Sequence, residues 1–390
     1  MTPQWFLRKG TKRSGFRYVT ATGKPAPESA RARAAALVIP PAWTDVHIAA
    51  APTAAVQAWG FDAKGRKQYR YHDRAAERGQ LRKFYRVRQM ARDLPAIRAA
   101  VAKDFRAKAM GQPPTKCRVA AAVVRLIGES FFRVGSDRYA EENKTFGVAT
   151  LRKKHVAMHE DRVVFDYIGK ESIRQRQVVF APDLVAFLRS LLETPGPRLF
   201  RYQSTGDDGR LHWHDLTSRD VNVYMHDVLG VPYSAKDFRT WGGTLRLATI
   251  LADIGPGKTP RESQKNLVVA LRLVASELGN TPTVCRKAYV HPLVIARYLD
   301  EGATIAPFLT RAGVRRANAR AAEGGRGHEG HPPEERALIG FLDKYFPERR
   351  THRRDRRRRD REAGGERRAA RAVAAAVADP AGVPSAADAA

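Results

Sequence analysis

The feature that most constrains this chain is a change of hydrophobic period near Asp73. Before it, across 16–72, short runs rich in β-branched and aromatic residues are separated by glycine and proline. These runs are Phe16-Arg17-Tyr18-Val19-Thr20, Val46-His47-Ile48, Ala55-Val56-Gln57-Ala58-Trp59 and Gln68-Tyr69-Arg70-Tyr71. Short β-prone runs bounded by turn residues predict a small antiparallel sheet. After Asp73 the apolar residues recur at three and four, as in Leu81, Phe84, Tyr85, Val87 and Met90, and again through 119–132, 215–229 and 265–278. That spacing lays one apolar stripe along a helix and predicts a mainly helical second unit. One interruption matters: Val163-Val164-Phe165-Asp166-Tyr167-Ile168 and Arg174-Gln175-Arg176-Gln177-Val178-Val179-Phe180 flank the turn-like Gly169-Lys170-Glu171-Ser172. This is a hairpin with a lysine at its tip.

The expected fold class is therefore α+β. A β-sheet domain covers 1–75, a mainly helical domain with a β-hairpin covers 76–316, and a basic extension covers 317–390. The extension is dominated by Ala, Arg, Gly and Glu, with the run Arg353-Arg354-Asp355-Arg356-Arg357-Arg358-Arg359, and offers too little apolar surface to fold alone. A short helix over 334–346, with Leu338, Ile339, Phe341 and Leu342, is the exception. The extension is expected to raise nonspecific affinity without joining any catalysis.

Charge narrows the partner. The 70 Lys and Arg against 40 Asp and Glu give a net charge of +30, spread along the chain instead of gathered into one block. Such a charge must meet a polyanion, and nucleic acid fits better than an anionic membrane surface. Cys117 and Cys285 are the only cysteines and have neither metal-like spacing nor a further pair to staple a small fold. Residues 1–10 lack an apolar core of signal-peptide length, and no stretch approaches the roughly 18 apolar residues of a membrane span. A soluble protein of a reducing cytoplasm, associated with the nucleoid, is the expectation.

Cutting a DNA strand without a metal ion requires a nucleophile, cations on the non-bridging phosphate oxygens and an acid for the leaving 5′ oxygen. Arg133, in Phe132-Arg133-Val134-Gly135, follows an amphipathic helix and could fork two phosphate oxygens. Lys170 at the hairpin tip could protonate a departing oxygen. Arg239 falls in the first turns of a helix opened by Ser234 and Asp237, where free backbone N–H groups favour a phosphate. Tyr289 lies about two turns into a helix opened by Thr281 and Pro282, beside Arg286 and Lys287, whose charges favour phenolate character. Each has a bland alternative: a solvated charge for Arg133, an ordinary turn lysine for Lys170, a packing stem with its head in water for Arg239, and a half-buried packing ring for Tyr289.

Order and spacing add what single residues lack. Ile39-Pro40-Pro41-Ala42-Trp43-Thr44, Asp62-Ala63-Lys64-Gly65-Arg66-Lys67-Gln68-Tyr69, Phe132-Arg133-Val134-Gly135, Tyr167-Ile168-Gly169-Lys170, Lys236-Asp237-Phe238-Arg239-Thr240 and Leu278-Gly279-Asn280-Thr281-Pro282, leading to Tyr289, run in order across 6–308. In this the chain resembles the type IB DNA topoisomerases, particularly their small bacterial and viral subgroup.

The resemblance implies that Tyr289 is the nucleophile and forms a 3′-phosphotyrosyl ester, that Arg133 and Arg239 stabilise the phosphorane, and that Lys170 is the general acid. It further implies relaxation of supercoiled duplex DNA without ATP, metal or other cofactor, by a monomer acting as a clamp. Asn280 stands where the broader family usually has a histidine on a phosphate oxygen; a neutral amide there is worth less by ~1 kcal/mol. Gln68 and Tyr69 match a viral-subgroup strand that reads bases in the major groove, with Lys64, Arg66 and Lys67 beside it for phosphates and Lys236 at the catalytic side. A structural Tyr69 is the open alternative.

Two rivals remain. A tyrosine recombinase shares the Arg, Lys, Arg, His, Tyr logic, but generally carries His where this chain has Lys236, and has a helical N-terminal domain where this chain reads as a sheet. A basic DNA-packaging protein would account for the charge but leaves the order of the motifs unexplained.

Overall fold

The computed structural model describes residues 5–106, 114–309 and 330–345. The N-terminal sheet has five antiparallel strands in the order β2-β1-β3-β4-β5, with β1 Trp5–Thr11, β2 Gly15–Val19, β3 Thr44–Ala49, β4 Val56–Phe61 and β5 Lys67–Tyr71. Strand alternation gives the sheet two different faces. Phe6, Ile48 and Ala58 align across three strands and pack on Ala34 and Ile39, so this face is closed by helix α1, Glu28–Ala36. Leu7, His47, Trp59 and Tyr69 align on the other. There the Trp59 indole is sandwiched between the His47 ring, stacked at 3.9 Å, and the Lys67 ammonium at 3.7 Å.

The second unit is built on α2, Asp73–Arg106, whose buried residues Phe84, Val87, Met90, Ala91, Leu94, Ile97, Val101 and Phe105 trace the predicted stripe. The α+β expectation holds. Against α2 pack α3 (Lys116–Ser130) and α7 (Ala235–Ile254), and α7 packs in turn on α8 (Pro260–Leu278). Between α3 and α7 come α4 (Asp137–Glu142), a three-stranded sheet, α5 (Pro182–Leu192), a second hairpin of β9 (Arg201–Thr205) and β10 (Leu211–Asp215), and α6 (Ser218–Val223). The three-stranded sheet is the expected hairpin, β7 Val163–Ile168 and β8 Arg174–Val179, extended by β6 Val156–Met158. Helical spacing over 215–229 overreaches at its start: Asp215 ends β10, and the helix begins only at the Thr217–Asp220 capping box, whose reciprocal bonds satisfy the first N–H groups. Short α9 (Pro282–Ala288) and α10 (Pro292–Glu301) follow α8.

The short helix placed by sequence in the extension forms as α11, Pro333–Tyr345, and it docks on the helical unit. Ala337, Leu338, Phe341 and Leu342 are buried in the same core as α2, α3 and α7. Two acidic residues fix it in place. Glu335 accepts from Arg98 at 2.9 and 2.6 Å, and Asp343 accepts from Arg88 and Arg92. An amphipathic stripe with acids at its rim, meeting a basic stretch of α2, docks where the composition around it predicts none. The arginine run 353–359 and the rest of the extension lie outside the described residues.

Candidate active site

Four chain segments meet at one point because four local signals aim them there. Helix α3 stops at Phe131, a non-glycine residue in the left-handed region (φ 54), which turns its carbonyl toward α7 and leads directly into Arg133. The Ser234–Asp237 capping box opens α7, and Arg239 follows within its first turns, 3% exposed. Helix α8 closes at Gly279 (φ 58), where the N–H of Asn280 reaches back to the Ala275 carbonyl at 2.8 Å. The positive φ at Gly279 favours glycine, and a Cβ there would meet the end of the Gln175 side chain of β8, which would have to move aside. Thr281 then caps α9, accepting from Val284 N–H, and Tyr289 is the residue at which that helix ends.

The arginines are held by peptide oxygens. Arg133 Nη2 donates to the Gly279 carbonyl at 2.9 Å and to Asn280 Oδ1 at 2.6 Å. Arg239 Nη2 donates to the Leu278 carbonyl at 2.7 Å, and its Nη1 to the Phe131 carbonyl. Neither guanidinium is paired with a carboxylate among the described residues. Burial, and then the charge of Arg133, press the Arg239 pKa below its ordinary value, as expected for like charges gathered before an anion arrives.

Tyr289 takes the opposite effect. Its ring lies 5.1 Å from the Arg239 guanidinium carbon. Burial alone would raise the phenol, but the charge and hydrogen bond of Arg239, with the charges of Arg133 and Lys236, set it below the usual tyrosine value. Tyr167, on β7 beside the same arginines, goes the other way: burial pushes it up to about 12, only partly offset by Arg239 and Arg133. Of two phenols near one pair of cations, only Tyr289 is eased toward the phenolate.

The structure thus brings together Arg133, Arg239, Asn280 and Tyr289, with Lys236 near enough to act on the phenol. Lys170 stands outside this cluster. It is exposed at the hairpin tip, 4.0 Å from the Glu171 carboxylate, where Glu171 and Ser172 both take left-handed backbone. The root of the hairpin is nonetheless packed on the site, through Gln175 against Gly279. In the N-terminal sheet Gln68 and Tyr69 point to opposite faces of edge strand β5. Gln68 donates to Asp62 at 2.9 Å, and Arg66 is bound to the same carboxylate at 2.8 Å. Tyr69 is 44% exposed and stacked with Tyr71, while Lys67 covers Trp59. The Lys64 backbone N–H closes the Asp62 turn.

Sequence reasoning missed Gln175 and Phe131, the residues that shape the site from behind. A buried glutamine in a strand and a left-handed phenylalanine leave no periodic signal. Among the described residues, no group of three or more His, Cys, Asp and Glu is placed to hold a metal ion, and no helix is long and apolar enough to cross a membrane.

Comparison with known proteins accounts for both units. Residues 68–311 match the family described as eukaryotic DNA topoisomerase I, catalytic core, and residues 15–62 match bacterial DNA topoisomerase IB, N-terminal domain. DNA topoisomerase 1B of Acanthamoeba polyphaga mimivirus is 32% identical over 265 residues, covering 67% of this chain and 78% of that protein. DNA topoisomerase 1B of Vaccinia virus (strain Copenhagen) is 26% identical over 253 residues, 62% of this chain and 72% of that protein. DNA topoisomerase 1 of Schizosaccharomyces pombe is 26% identical over 202 residues, 51% of this chain but 22% of its own much longer one. With its catalytic core and its N-terminal domain each matched, and small viral enzymes aligned over most of their length, the chain belongs to the type IB DNA topoisomerases, in their small subgroup.

Proposed function

We propose that this topoisomerase cuts one strand of a duplex through Tyr289 and that Arg133, Arg239, Asn280, Lys236 and Lys170 divide the remaining work. The observation that carries this reading is the pair of guanidinium groups, free of carboxylates, around a tyrosine whose phenol they ease toward ionisation. Such a site is electrostatically incomplete until a phosphate enters, and its donors are fixed beforehand by peptide carbonyls.

In the forward step the Tyr289 phenol gives up its proton to solvent and its oxygen attacks phosphorus. The bond from phosphorus to the 5′ oxygen breaks, and Lys170 supplies the proton that leaves a free 5′ hydroxyl. Arg133 and Arg239 hold the non-bridging oxygens as negative charge builds, while the Asn280 amide adds a neutral hydrogen bond. The DNA 3′ end stays on Tyr289 as a phosphotyrosyl ester, the free strand swivels, and the 5′ hydroxyl reverses the attack. The ester conserves the bond, so neither ATP nor a metal is required.

Lys64, Arg66, Lys67, Gln68 and Tyr69 on the edge-strand side of the sheet hold the duplex from the opposite side, so that a monomer closes as a clamp on supercoiled DNA in the cytoplasm, at the nucleoid. The exposure of Tyr69 and the position of β5 at the sheet edge support this. Peptide mapping of the adduct formed on a nicked duplex that cannot religate tests the site: the reading expects the nucleotide on Tyr289, and an adduct on any other residue contradicts it.

A further inference from the structure

We propose that Lys83 is a positioning residue for the nucleophile, fixing the end of α9 from which Tyr289 projects. The inference rests on the reading of Tyr289 given above. Lys83 belongs to α2, yet its Nζ donates to the carbonyl of Ala288 at 3.1 Å, across more than half the chain. The last carbonyls of a helix have no partner within it, and a cation there also suits the helix dipole. The seven-residue α9 ends at this carbonyl, so the peptide leading into Tyr289 has few internal restraints.

Thr244 of α7 holds the chain on the far side of Tyr289, its Oγ1 accepting from the His291 N–H at 3.1 Å while its one proton goes to the Thr240 carbonyl at 2.7 Å. The chain is thus held just before Tyr289, at the Ala288 carbonyl, and just after it, at the His291 N–H. Three residues beyond Lys83, and so on the same face of α2, Arg86 donates to Asp237 at 3.1 and 2.7 Å. Asp237 is the capping residue at the head of the helix that carries Arg239. One face of α2 therefore sets both the nucleophile's helix and the Arg239 helix, and with them the distance between the reacting groups.

The surroundings of Lys83 do not suit a freely mobile phosphate-binding lysine. Its ammonium lies 4.1 Å from the Phe84 ring. Burial, and then the charge of Lys236, lower its pKa to about 8, with Asp237 opposing.

The test compares the unaltered chain with Lys83→Met, Lys83→Arg, Thr244→Val and Tyr289→Phe in single-turnover cleavage and religation of a labelled duplex at saturating concentration, with duplex Kd and Tm measured alongside. Lys83→Met keeps the stem and loses the donor. The expected result is a fall of about 10- to 100-fold in both cleavage and religation rates, an unchanged Kd, and partial recovery in Lys83→Arg. Thr244→Val should slow both rates in the same way. An unchanged rate overturns the inference, as does a weaker Kd with an unchanged saturating rate, which would make Lys83 a phosphate contact. A loss confined to Tm and to the amplitude of active enzyme overturns it too, by making the role one of general stability. Cleavage by Tyr289→Phe would instead sink the reading of the nucleophile on which the inference rests.

Discussion

Arg133 and Arg239 stand at the same tyrosine with peptide oxygens as their partners, both at the end of α8, where Arg133 also reaches the Asn280 side chain. The amide at position 280 works twice. Its oxygen accepts from Arg133 at 2.6 Å, and its NH₂ remains available to a phosphate oxygen with only a long bond of 3.4 Å to Leu278. A hydrogen bond to a charged group contributes roughly 1.5–3 kcal/mol, so Asn280→Ala should slow cleavage by about tenfold or more. Single-turnover rates at saturating duplex check this; a variant as fast as the unaltered chain would show that the amide does neither job. At this scale much of the site was legible. Arg133, Arg239, Asn280 and Tyr289 could be chosen from their order along the chain, since motif order survives without knowledge of packing. The behaviour of Tyr167 could not. Two tyrosines separated by more than a hundred residues look alike in sequence, and only burial decides that one is pushed to about 12 while the other is drawn below the usual value.

At the scale of elements, α7 shows how packing overrides propensity. Gly243 lies inside a twenty-residue helix, where alanine would ordinarily add about 1 kcal/mol of stability. A Cβ there would fall 2.9 Å from the Tyr289 carbonyl and 3.3 Å from the Tyr289 Cβ. Gly243→Ala should therefore displace the backbone of Tyr289 and, if that residue attacks the DNA as proposed, cut cleavage by about tenfold or more with duplex affinity retained; a faster or equally fast variant with a higher Tm would mean that propensity wins. Long elements were readable for the converse reason. The stripe of α2 and the alternation of β7 and β8 repeat often enough to declare their period. Helix α1 buries only Ala30 and Ala34 and has no such stripe; its Arg33 ties it to the sheet through Ala51 and Gln57, contacts that no periodicity records.

For the whole molecule, α11 joins the extension to the core of the helical unit. Burial would raise the Glu335 carboxyl, but hydrogen bonds from His331, Arg98 and Trp241 outweigh it and hold the group at about 2, against an ordinary 4.5. Trp241 is on α7, two residues after Arg239, so this carboxylate ties α11 to both α2 and the helix that carries Arg239. Because the folded pKa is depressed, its contribution of about 3 kcal/mol is complete above the unfolded pKa and is lost as pH falls from about 4.5 through about 2. Glu335→Gln should lower the unfolding free energy by about that amount at neutral pH and reduce the acid-induced loss within that window, as read from denaturant midpoints at several pH values. Equal stability at pH 7 would leave α11 without the bracing role. The helix was legible from its apolar residues, but its docking was not, because docking depends on four apolar residues and two acids meeting a particular face of α2.

The measurement that bears most directly on the account is relaxation of supercoiled plasmid in EDTA without ATP, by the unaltered chain and by Tyr289→Phe side by side. The expected result is relaxation by the first and none by the second, with salt-sensitive DNA binding retained in both. Relaxation by Tyr289→Phe, or by neither protein despite tight binding, would contradict it.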